Sequence, residues 1–149
     1  MNLKIKNVDD YNYNEAISLR VKSGQESFIE TVEESLEEAK ELSLWRPVGI
    51  YDNSEIIGFA MYGRWEKKDS HGQVWLDRFM IGDDFQGKGY GKESLKVILD
   101  LIHKEYDCNE IYLSIYGNNT FAIDLYKKFG FDFTGEFDRN GELVMKLEV

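Results

Sequence analysis

The feature that most constrains the fold is a predicted strand followed by a glycine-rich loop and an amphipathic helix. The apolar run Val74–Ile81 is the strand candidate, and the sequence GDDFQGKGYGK follows it at residues 82–92. Beyond the loop, apolar side chains recur with the spacing i, i+3, i+4, i+7 of one helical face, at Leu95, Ile98, Leu99 and Ile102. Bare backbone amides at the positive end of a helix bind anions. The stretch therefore predicts a phosphate site.

Two familiar phosphate-binding loops do not fit this stretch. Residues 82–88 match the first seven positions of a P-loop, but Gly89 stands where a serine or threonine must hold Mg²⁺. A dinucleotide-binding fingerprint needs glycine or alanine at position 92 or 94, and Lys92 and Ser94 occupy them. On this stretch alone, a glycine-rich turn without a ligand remains the alternative.

The remaining patterns predict a single α+β domain spanning residues 1–149. Alternating apolar residues predict strands at 3–8, 48–51, 55–65, 74–81, 111–115, 131–137 and 143–147. Helical spacing predicts helices at 13–21, 26–41, 119–129 and after the glycine-rich loop. The order β-α-α-β-β-β-α-β-α-β-β predicts a mixed central sheet of about seven strands flanked by about four helices.

Composition excludes several classes of function. The net charge of −10 argues against nucleic-acid binding and permits a cationic substrate. The one cysteine, Cys108, cannot form an internal disulfide, and no Cys/His spacing predicts a metal site. The longest apolar stretch is too short to span a membrane, and the N-terminus lacks the apolar core of a signal peptide. We therefore expect a cytoplasmic protein with no membrane or nucleic-acid partner.

Two motifs carry a resemblance to a known family. The sequence QGKGYG at 86–91 resembles the Gln/Arg-x-x-Gly-x-Gly/Ala loop of the GNAT N-acetyltransferases. The sequence NTFAIDLYKKFGF at 119–131 resembles the second signature of the same family, and the two occur in the family's order. The resemblance covers the whole chain. It is closest to the bacterial spermine/spermidine acetyltransferases, in the stretches 46–49, 58–63, 74–79, 111–115 and 140–142.

The resemblance implies acetyl-CoA as co-substrate, no metal, and a homodimer. It implies that the glycine-rich loop binds the pyrophosphate, through Gln86, Gly87, Lys88, Gly89, Tyr90, Gly91 and Lys92. It implies that backbone groups of Phe79, Met80 and Ile81 bind the pantetheine and polarise the thioester carbonyl. From the second signature, Asn119, Ala122 and Tyr126 are implied to contact the cofactor. A helix N-cap is the structural alternative for Asn119.

Tyr126 is the predicted general acid. Asn119, Ala122 and Tyr126 share one helical face, and the resemblance implies that the tyrosine protonates the departing CoA thiolate. With an ordinary pKa of about 10 against about 8.5 for a thiol, this transfer costs roughly 2 kcal/mol. The structural alternative is a half-buried core tyrosine.

The resemblance implies that Asp77 is the carboxylate that handles the acceptor amine. It interrupts the apolar strand, and strand alternation predicts that Asp77, Phe79 and Ile81 share one face. A primary ammonium titrates near 10.4, so at neutral pH only about one molecule in 10³ is the nucleophilic free amine. A carboxylate that binds the cation and accepts its proton therefore assists transfer. A structural partner for Arg78 is the alternative.

The acidic segment at residues 26–41 has two interpretations. The resemblance places the substrate near the early helices, which implies that Glu26, Glu30 and Glu33 line the cleft for a cationic substrate. Trp45 and Trp65 pack on the substrate there or, in the alternative, in the core. In the other interpretation, the segment forms a solvated helix face, comprising Glu34, Glu37, Glu38 and Glu41.

The sequence thus predicts an acetyl-CoA-dependent enzyme that transfers acetyl directly to a primary amine, most simply a polyamine. Cys108 has no recognisable nucleophile setting, and His71 and His103 are poorer base candidates than Asp77. Two alternatives stay open. The acceptor is instead a protein amine or an amine antibiotic, or the domain is a CoA-binding regulatory module without turnover.

Overall fold

The computed structural model describes residues 1–65 and 72–149. Within them, one seven-stranded sheet has the order β1-β2-β3-β4-β5-β7-β6. The strands are β1 Leu3–Asn7, β2 Arg46–Asp52, β3 Glu55–Arg64, β4 Val74–Ile81, β5 Glu110–Ile115, β6 Asp132–Phe137 and β7 Leu143–Glu148. The helices are α1 Tyr13–Ile17, α2 Val32–Glu41, α3 Tyr90–Tyr106 and α4 Thr120–Lys128. The predicted mixed α+β architecture is confirmed.

The two N-terminal helices are shorter than the sequence pattern predicts. Helix α1 ends at Ile17 rather than near residue 21, and α2 begins at Val32 rather than at residue 26. Thr31 fixes the start of α2 through a capping box, because its side chain accepts from the Glu34 amide while the Glu34 carboxylate accepts from the Thr31 amide. Glu26 and Glu30 therefore lie in the irregular segment before α2.

The sheet is covered on both faces. One core packs the predicted apolar stripe of α3 and residues of α4 against the sheet, including Leu95, Ile98, Ile123 and Tyr126. The other packs α1 and α2 against the opposite face, through Ala16 and Leu36 among others. Among the described residues, no helix is long and apolar enough to cross a membrane.

Strand β4 contains a bulge at Asp77. On β3, Met61 is opposite Arg78 and Tyr62 is opposite Leu76, so Asp77 is an extra residue without a partner. Before the bulge Leu76 packs in the α3 core, and after it Phe79 does. Side-chain alternation therefore shifts by one residue at the bulge. Phe79 and Ile81 share the face that packs in the α3 core, as predicted, but the prediction that Asp77 lies on that face with them is wrong.

Strands β4 and β5 separate soon after they meet. They are the one parallel pair in the described sheet, and their register consists of Val74 with Ile111 and Trp75 with Tyr112. Beyond these pairs, residues 76–81 of β4 and 113–115 of β5 have no partner in each other. The separation leaves two free strand edges facing a cleft.

Candidate active site

A cavity of about 1020 Å³ lies in the cleft between β4 and β5. Its walls come from both strands, the start of α3, α4, the segment before α2 and the turn between β6 and β7. These parts of the sequence are far apart, and the separation of β4 from β5 is what brings them together around one space. The volume is in the range of small-molecule sites.

The glycine-rich loop forms one end of the cavity. Gly87 and Gly89 have φ angles of +76° and +86°, in the left-handed region that favours glycine. Gly89 is the N-cap of α3, and the first helical bond runs from the Glu93 amide to the Gly89 carbonyl. The preceding amides of the helix are thus free of intrahelical partners. The arrangement can bind an anion at the positive end of a 17-residue helix.

Most of the residues predicted for this loop line the cavity, namely Gln86, Gly87, Gly89, Gly91 and Lys92. Lys88 and Tyr90 are not among the described lining residues. The Lys88 ammonium donates to the Asp84 carbonyl at 2.9 Å, and the Tyr90 hydroxyl donates to the Asp52 carboxylate at 2.5 Å. Their side chains therefore support the loop from outside the cavity.

Gln86 ties the loop to its surroundings. Its side-chain amide donates to the Ile81 carbonyl at 2.9 Å and to the Gln25 side chain at 3.0 Å, and Gln25 donates back at 3.3 Å. Gln25 belongs to the segment before α2. These bonds connect the end of β4, the glycine-rich loop and the segment before α2.

Backbone amides of β4 point into the cleft. The Gly82 amide donates to the Ile57 carbonyl on β3 at 2.9 Å. Because successive amides of a strand point to opposite edges, those of Ile81 and Phe79 face the free edge, whereas that of Met80 faces β3. All three residues line the cavity, but only two of the three amides can bind a ligand there.

Helix α4 presents the predicted face of the second motif to the cavity. Asn119, Ala122 and Tyr126 all line it. Asn119 also occupies the N-cap position, but its side chain makes no capping hydrogen bond. Capping by the side chain therefore does not account for the asparagine.

Tyr126 lies at the apolar side of the cavity. It is 8% exposed and packs edge to face on Phe131, with ring centroids 5.6 Å apart. Burial alone raises the pKa of Tyr126 above its ordinary value. The phenol is therefore neutral at physiological pH, and complete proton transfer to a thiolate costs more than the roughly 2 kcal/mol expected from ordinary pKa values.

Arg78 organises the acidic part of the cavity. The side chain is 9% exposed, and its guanidinium is 2.5 Å from the Asp77 carboxylate and 3.0 Å from that of Glu30. It also forms an ion pair with Glu38 of α2. The contact with Glu30 is an ion pair without a hydrogen bond, because the Arg78 Nε–H does not point at the Glu30 carboxylate. One cation thus holds three carboxylates from three parts of the chain.

Asp77 has the electrostatic character expected of a proton acceptor near neutrality. Burial raises its pKa to about 6, opposed by Arg78 and reinforced by Glu38, Glu30 and Asp138. It lines the cavity together with Glu30. The structural alternative, a contact with Arg78, is present at 2.5 Å, and a role for Asp77 toward the amine stays a prediction.

The other predicted substrate carboxylates are placed differently. Glu26 and Glu33 are not among the described lining residues, and the Glu26 carboxylate accepts from the Gly24 amide at 2.9 Å. The prediction that Glu38 belongs to a solvated helix face is wrong, because Glu38 forms an ion pair with Arg78 and lines the cavity. The helical spacing of α2 could not show which of its exposed carboxylates would meet a strand residue.

Sequence reasoning also missed Asp138 and Glu142, which line the cavity from the turn between β6 and β7. Burial, assisted mainly by Asp138, raises the pKa of Glu142 to about 7. The sequence indication was the stretch 140–142, which carried the family resemblance but did not predict that the turn lies near β4.

Two aromatic side chains also belong to the cavity wall. Trp45 and Trp65 both line the cavity and pack edge to face at 5.7 Å. Cys108 is buried and, like His103, is not among the described lining residues. His71 lies outside the described residues. Among the described residues, no group of three or more His, Cys, Asp or Glu could hold a metal ion.

Comparison with known proteins agrees with this geometry. Residues 12–131 match the model of the acetyltransferase (GNAT) family. The spermine/spermidine N(1)-acetyltransferase of Bacillus subtilis is 45% identical over 152 residues, covering 100% of both chains.

Solved structures share the fold. Spermidine N-acetyltransferase from Vibrio cholerae, in complex with CoA and spermine, superposes with a TM-score of 0.75 at 19% identity, covering 99% of this chain and 95% of the other. The aminoglycoside acetyltransferase AAC(6')-Ib, in complex with coenzyme A, gives 0.80 at 18% identity, covering 99% and 95%. The two sequence motifs, the separated strands and the family match lead to one conclusion: the chain belongs to the acetyltransferase (GNAT) family.

Proposed function

We propose that residues 1–149 form an acetyl-CoA-dependent N-acetyltransferase that acetylates a primary amine of a polyamine such as spermine or spermidine. The observation that carries the proposal is the contrast between the two parts of the cavity. The α3 amides and Lys92 suit a pyrophosphate, whereas the acceptor part of the cavity is rich in carboxylates. Glu30, Glu38 and Asp77 pair with Arg78 there, and Asp138 and Glu142 line the same cavity. The 45% identity to a spermine/spermidine acetyltransferase supports the same acceptor class.

The chain's residues fit the cofactor. The amides at the start of α3 and the side chain of Lys92 would hold the pyrophosphate, and the amides of Phe79 and Ile81 would hold the pantetheine arm. Acetyl-CoA supplies an activated acetyl group as a thioester. The same edge amides offer hydrogen bonds to the thioester carbonyl, where negative charge develops during transfer.

Asp77 would prepare the nucleophile. At pH 7 a carboxyl with a pKa of about 6 is mostly ionised, so it can bind the ammonium and accept its proton. Relative to an ordinary aspartate, the raised pKa makes that proton transfer about 3 kcal/mol less unfavourable. The amine would then attack the thioester directly, without a covalent intermediate on Cys108, which is buried and is not among the described lining residues.

Tyr126 would complete the reaction at the leaving group. Its buried, neutral phenol can donate a hydrogen bond, and then its proton, to the sulfur that leaves. The packing on Phe131 restricts the ring, so the hydroxyl is positioned before the substrate binds.

The proposal extends to the setting of the enzyme. We infer a cytoplasmic location, which the single buried Cys108 and the bacterial relatives support. The net charge of −10 supports a partner that is a cation rather than a nucleic acid. A homodimer rests on the family resemblance, and sedimentation equilibrium would test it.

The deciding experiment mixes the purified protein with acetyl-CoA and a panel of amines and measures thiol release. We expect repeated turnover with spermine and spermidine. Turnover only with aminoglycosides or peptide amines would move the acceptor to another class. Acetyl-CoA binding without turnover on any amine would leave a regulatory module.

Salt dependence gives a second test of the acceptor. Raising ionic strength from about 0.05 to 0.5 M shortens the Debye length about threefold. If several carboxylates bind several ammonium groups, KM for spermine should rise much more than KM for butylamine. Equal salt dependence of the two amines would contradict the multiple contacts while leaving the acetyltransferase assignment in place.

A further inference from the structure

The turn between β6 and β7 is built to hold one carboxylate at the cavity. The Asp138 carboxylate accepts from the amides of Asn140 and Glu142, each at 2.9 Å, and the Asp138 amide donates to the Glu142 carbonyl at 2.9 Å. Gly141 completes the turn with a φ of +81°. These bonds hold both the amide and the carbonyl of Glu142 in place, so the backbone that carries its side chain is fixed.

Glu142 lies at the end of β5, on the other side of the strand separation from Asp77. It directly precedes Leu143, which is paired with Ile115 at the end of β5. Asp77 belongs to β4, across the separation of the two strands. Both residues line the same cavity, so a ligand in the cavity lies between carboxylates carried by the two walls.

The carboxylates of this turn lack the compensation that the others have. Asp77, Glu30 and Glu38 share Arg78. Among the ion pairs of the described residues, none involves Glu142 or Asp138. Burial raises the pKa of the half-buried Glu142, the charge and a side-chain hydrogen bond of Asp138 and the charge of Glu30 raise it further, and Arg78 opposes them with a smaller effect. A cation arriving in the cavity therefore removes an existing repulsion as well as gaining a contact.

We propose that Glu142, held by the Asp138 turn, binds a second ammonium group of the acceptor and makes the enzyme prefer polyamines to monoamines. The inference rests on the proposed function and adds a residue to it. Asp77 serves the nitrogen that is acetylated, and Glu142 serves a nitrogen further along the chain, which stays charged. A monoamine has no group for Glu142 to bind.

The test compares Glu142→Gln with the wild-type enzyme, using spermidine and butylamine as acceptors. A hydrogen bond to a charged group contributes about 1.5–3 kcal/mol. We therefore expect the ratio of kcat/KM for spermidine to kcat/KM for butylamine to fall by about 10- to 100-fold, mostly through KM for spermidine. Glu142→Asp, which keeps the charge, should recover part of the ratio.

The matched control is Glu136→Gln, which removes an exposed carboxylate of β6 that is not among the described lining residues. It should leave the ratio unchanged. A purely structural role of Glu142 would lower kcat/KM for both amines together and keep the ratio constant, which overturns the proposal. The proposal is also overturned if Glu142→Gln changes kcat/KM for neither amine.

Failure of this inference is distinguishable from failure of the proposed function. If the wild-type enzyme acetylates spermidine and the ratio does not change in Glu142→Gln, only the role of Glu142 is wrong. If the wild-type enzyme acetylates no polyamine, the acceptor class itself is wrong. Circular dichroism and calorimetric acetyl-CoA binding establish whether each variant is folded. If Glu142→Gln does not fold, the ratio of the two kcat/KM values is compared between Glu142→Asp and the wild-type enzyme instead.

Discussion

Replacing Asp77 by Asn should stabilise the fold while it impairs the reaction. Burial in the cavity wall raises the pKa of Asp77 from 3.8 to about 6, even though Arg78 opposes the rise and Glu30, Glu38 and Asp138 reinforce it. The ionised carboxylate is therefore less favourable in the folded protein than in the unfolded chain. Asparagine has nearly the same shape and no charge, so it removes this cost.

The magnitude follows from the two pKa values. The difference between about 6 and 3.8 corresponds to about 3 kcal/mol at a pH above both. Asparagine also weakens the contact with Arg78, which keeps its ion pairs with Glu30 and Glu38. We therefore expect Asp77→Asn to raise the free energy of unfolding by about 1–3 kcal/mol at pH 8.

The dependence on pH has a definite sign. Between pH 3.8 and about 6 the folded protein binds more protons at Asp77 than the unfolded chain does. The contribution of this carboxyl to stability is therefore complete below pH 3.8 and is lost as the pH rises through about 6. The advantage of Asp77→Asn should shrink by about half at pH 5.

Urea denaturation of the wild type and the variant measures the gain in free energy of unfolding at pH 8 and its decrease at pH 5. Glu33→Gln is the matched control, since this exposed carboxylate should change stability by no more than about 0.5 kcal/mol. An Asp77→Asn variant that is less stable than wild type at pH 8 would refute the reasoning, as would a difference that does not depend on pH. In the same preparation, kcat/KM for spermine should fall strongly while acetyl-CoA affinity is retained.

Three further predictions concern the cofactor side and the chemistry. Tyr126→Phe should lower kcat by about 10² to 10⁴ with little change in calorimetric acetyl-CoA affinity; an unchanged kcat would mean that water protonates the thiolate. Gly89→Val should weaken acetyl-CoA binding by at least about tenfold. Valine at a φ of +86° is strained by about 1–3 kcal/mol, and relief of that strain moves the neighbouring amides that would bind the pyrophosphate. Unchanged affinity in a variant with a native circular dichroism spectrum would place the phosphates elsewhere. Cys108→Ala should leave turnover within about twofold, because the thiol is buried away from the described cavity lining; a loss beyond tenfold would instead favour a covalent acyl-enzyme.

Local patterns predicted the order of the elements because each one depends on residues close in sequence. The stripe from Leu95 to Ile102 lies on α3 and packs as its spacing requires. The helix start at Val32 was missed because the acidic residues before it have the same composition as the helix, and only the capping box separates them. The bulge at Asp77 was missed because an extra residue shows itself only in the register with a partner strand.

The site was predicted where a motif marks it and missed where tertiary pairing creates it. The glycine-rich loop and the α4 face line the cavity as the motifs indicate. Glu38 belongs to neither motif, and Glu142 only ends the stretch 140–142; each comes close to Arg78, on a strand distant in sequence. Sequence spacing within one helix or one hairpin contains no information about such contacts.

The separation of β4 from β5 also has a mechanical consequence. Within the described sheet, β1–β4 and β5–β7 are joined by backbone pairing at only two residue positions, those of Val74 and Trp75. A ligand that bonds to the free edge of β4 and packs on β5 acts as a brace between the two halves. Occupancy at a hundredfold excess over Kd adds about 2.7 kcal/mol to the stability of the whole fold. Amide hydrogen exchange along the free edge of β4 should therefore slow sharply when acetyl-CoA binds, and the free energy of unfolding should rise.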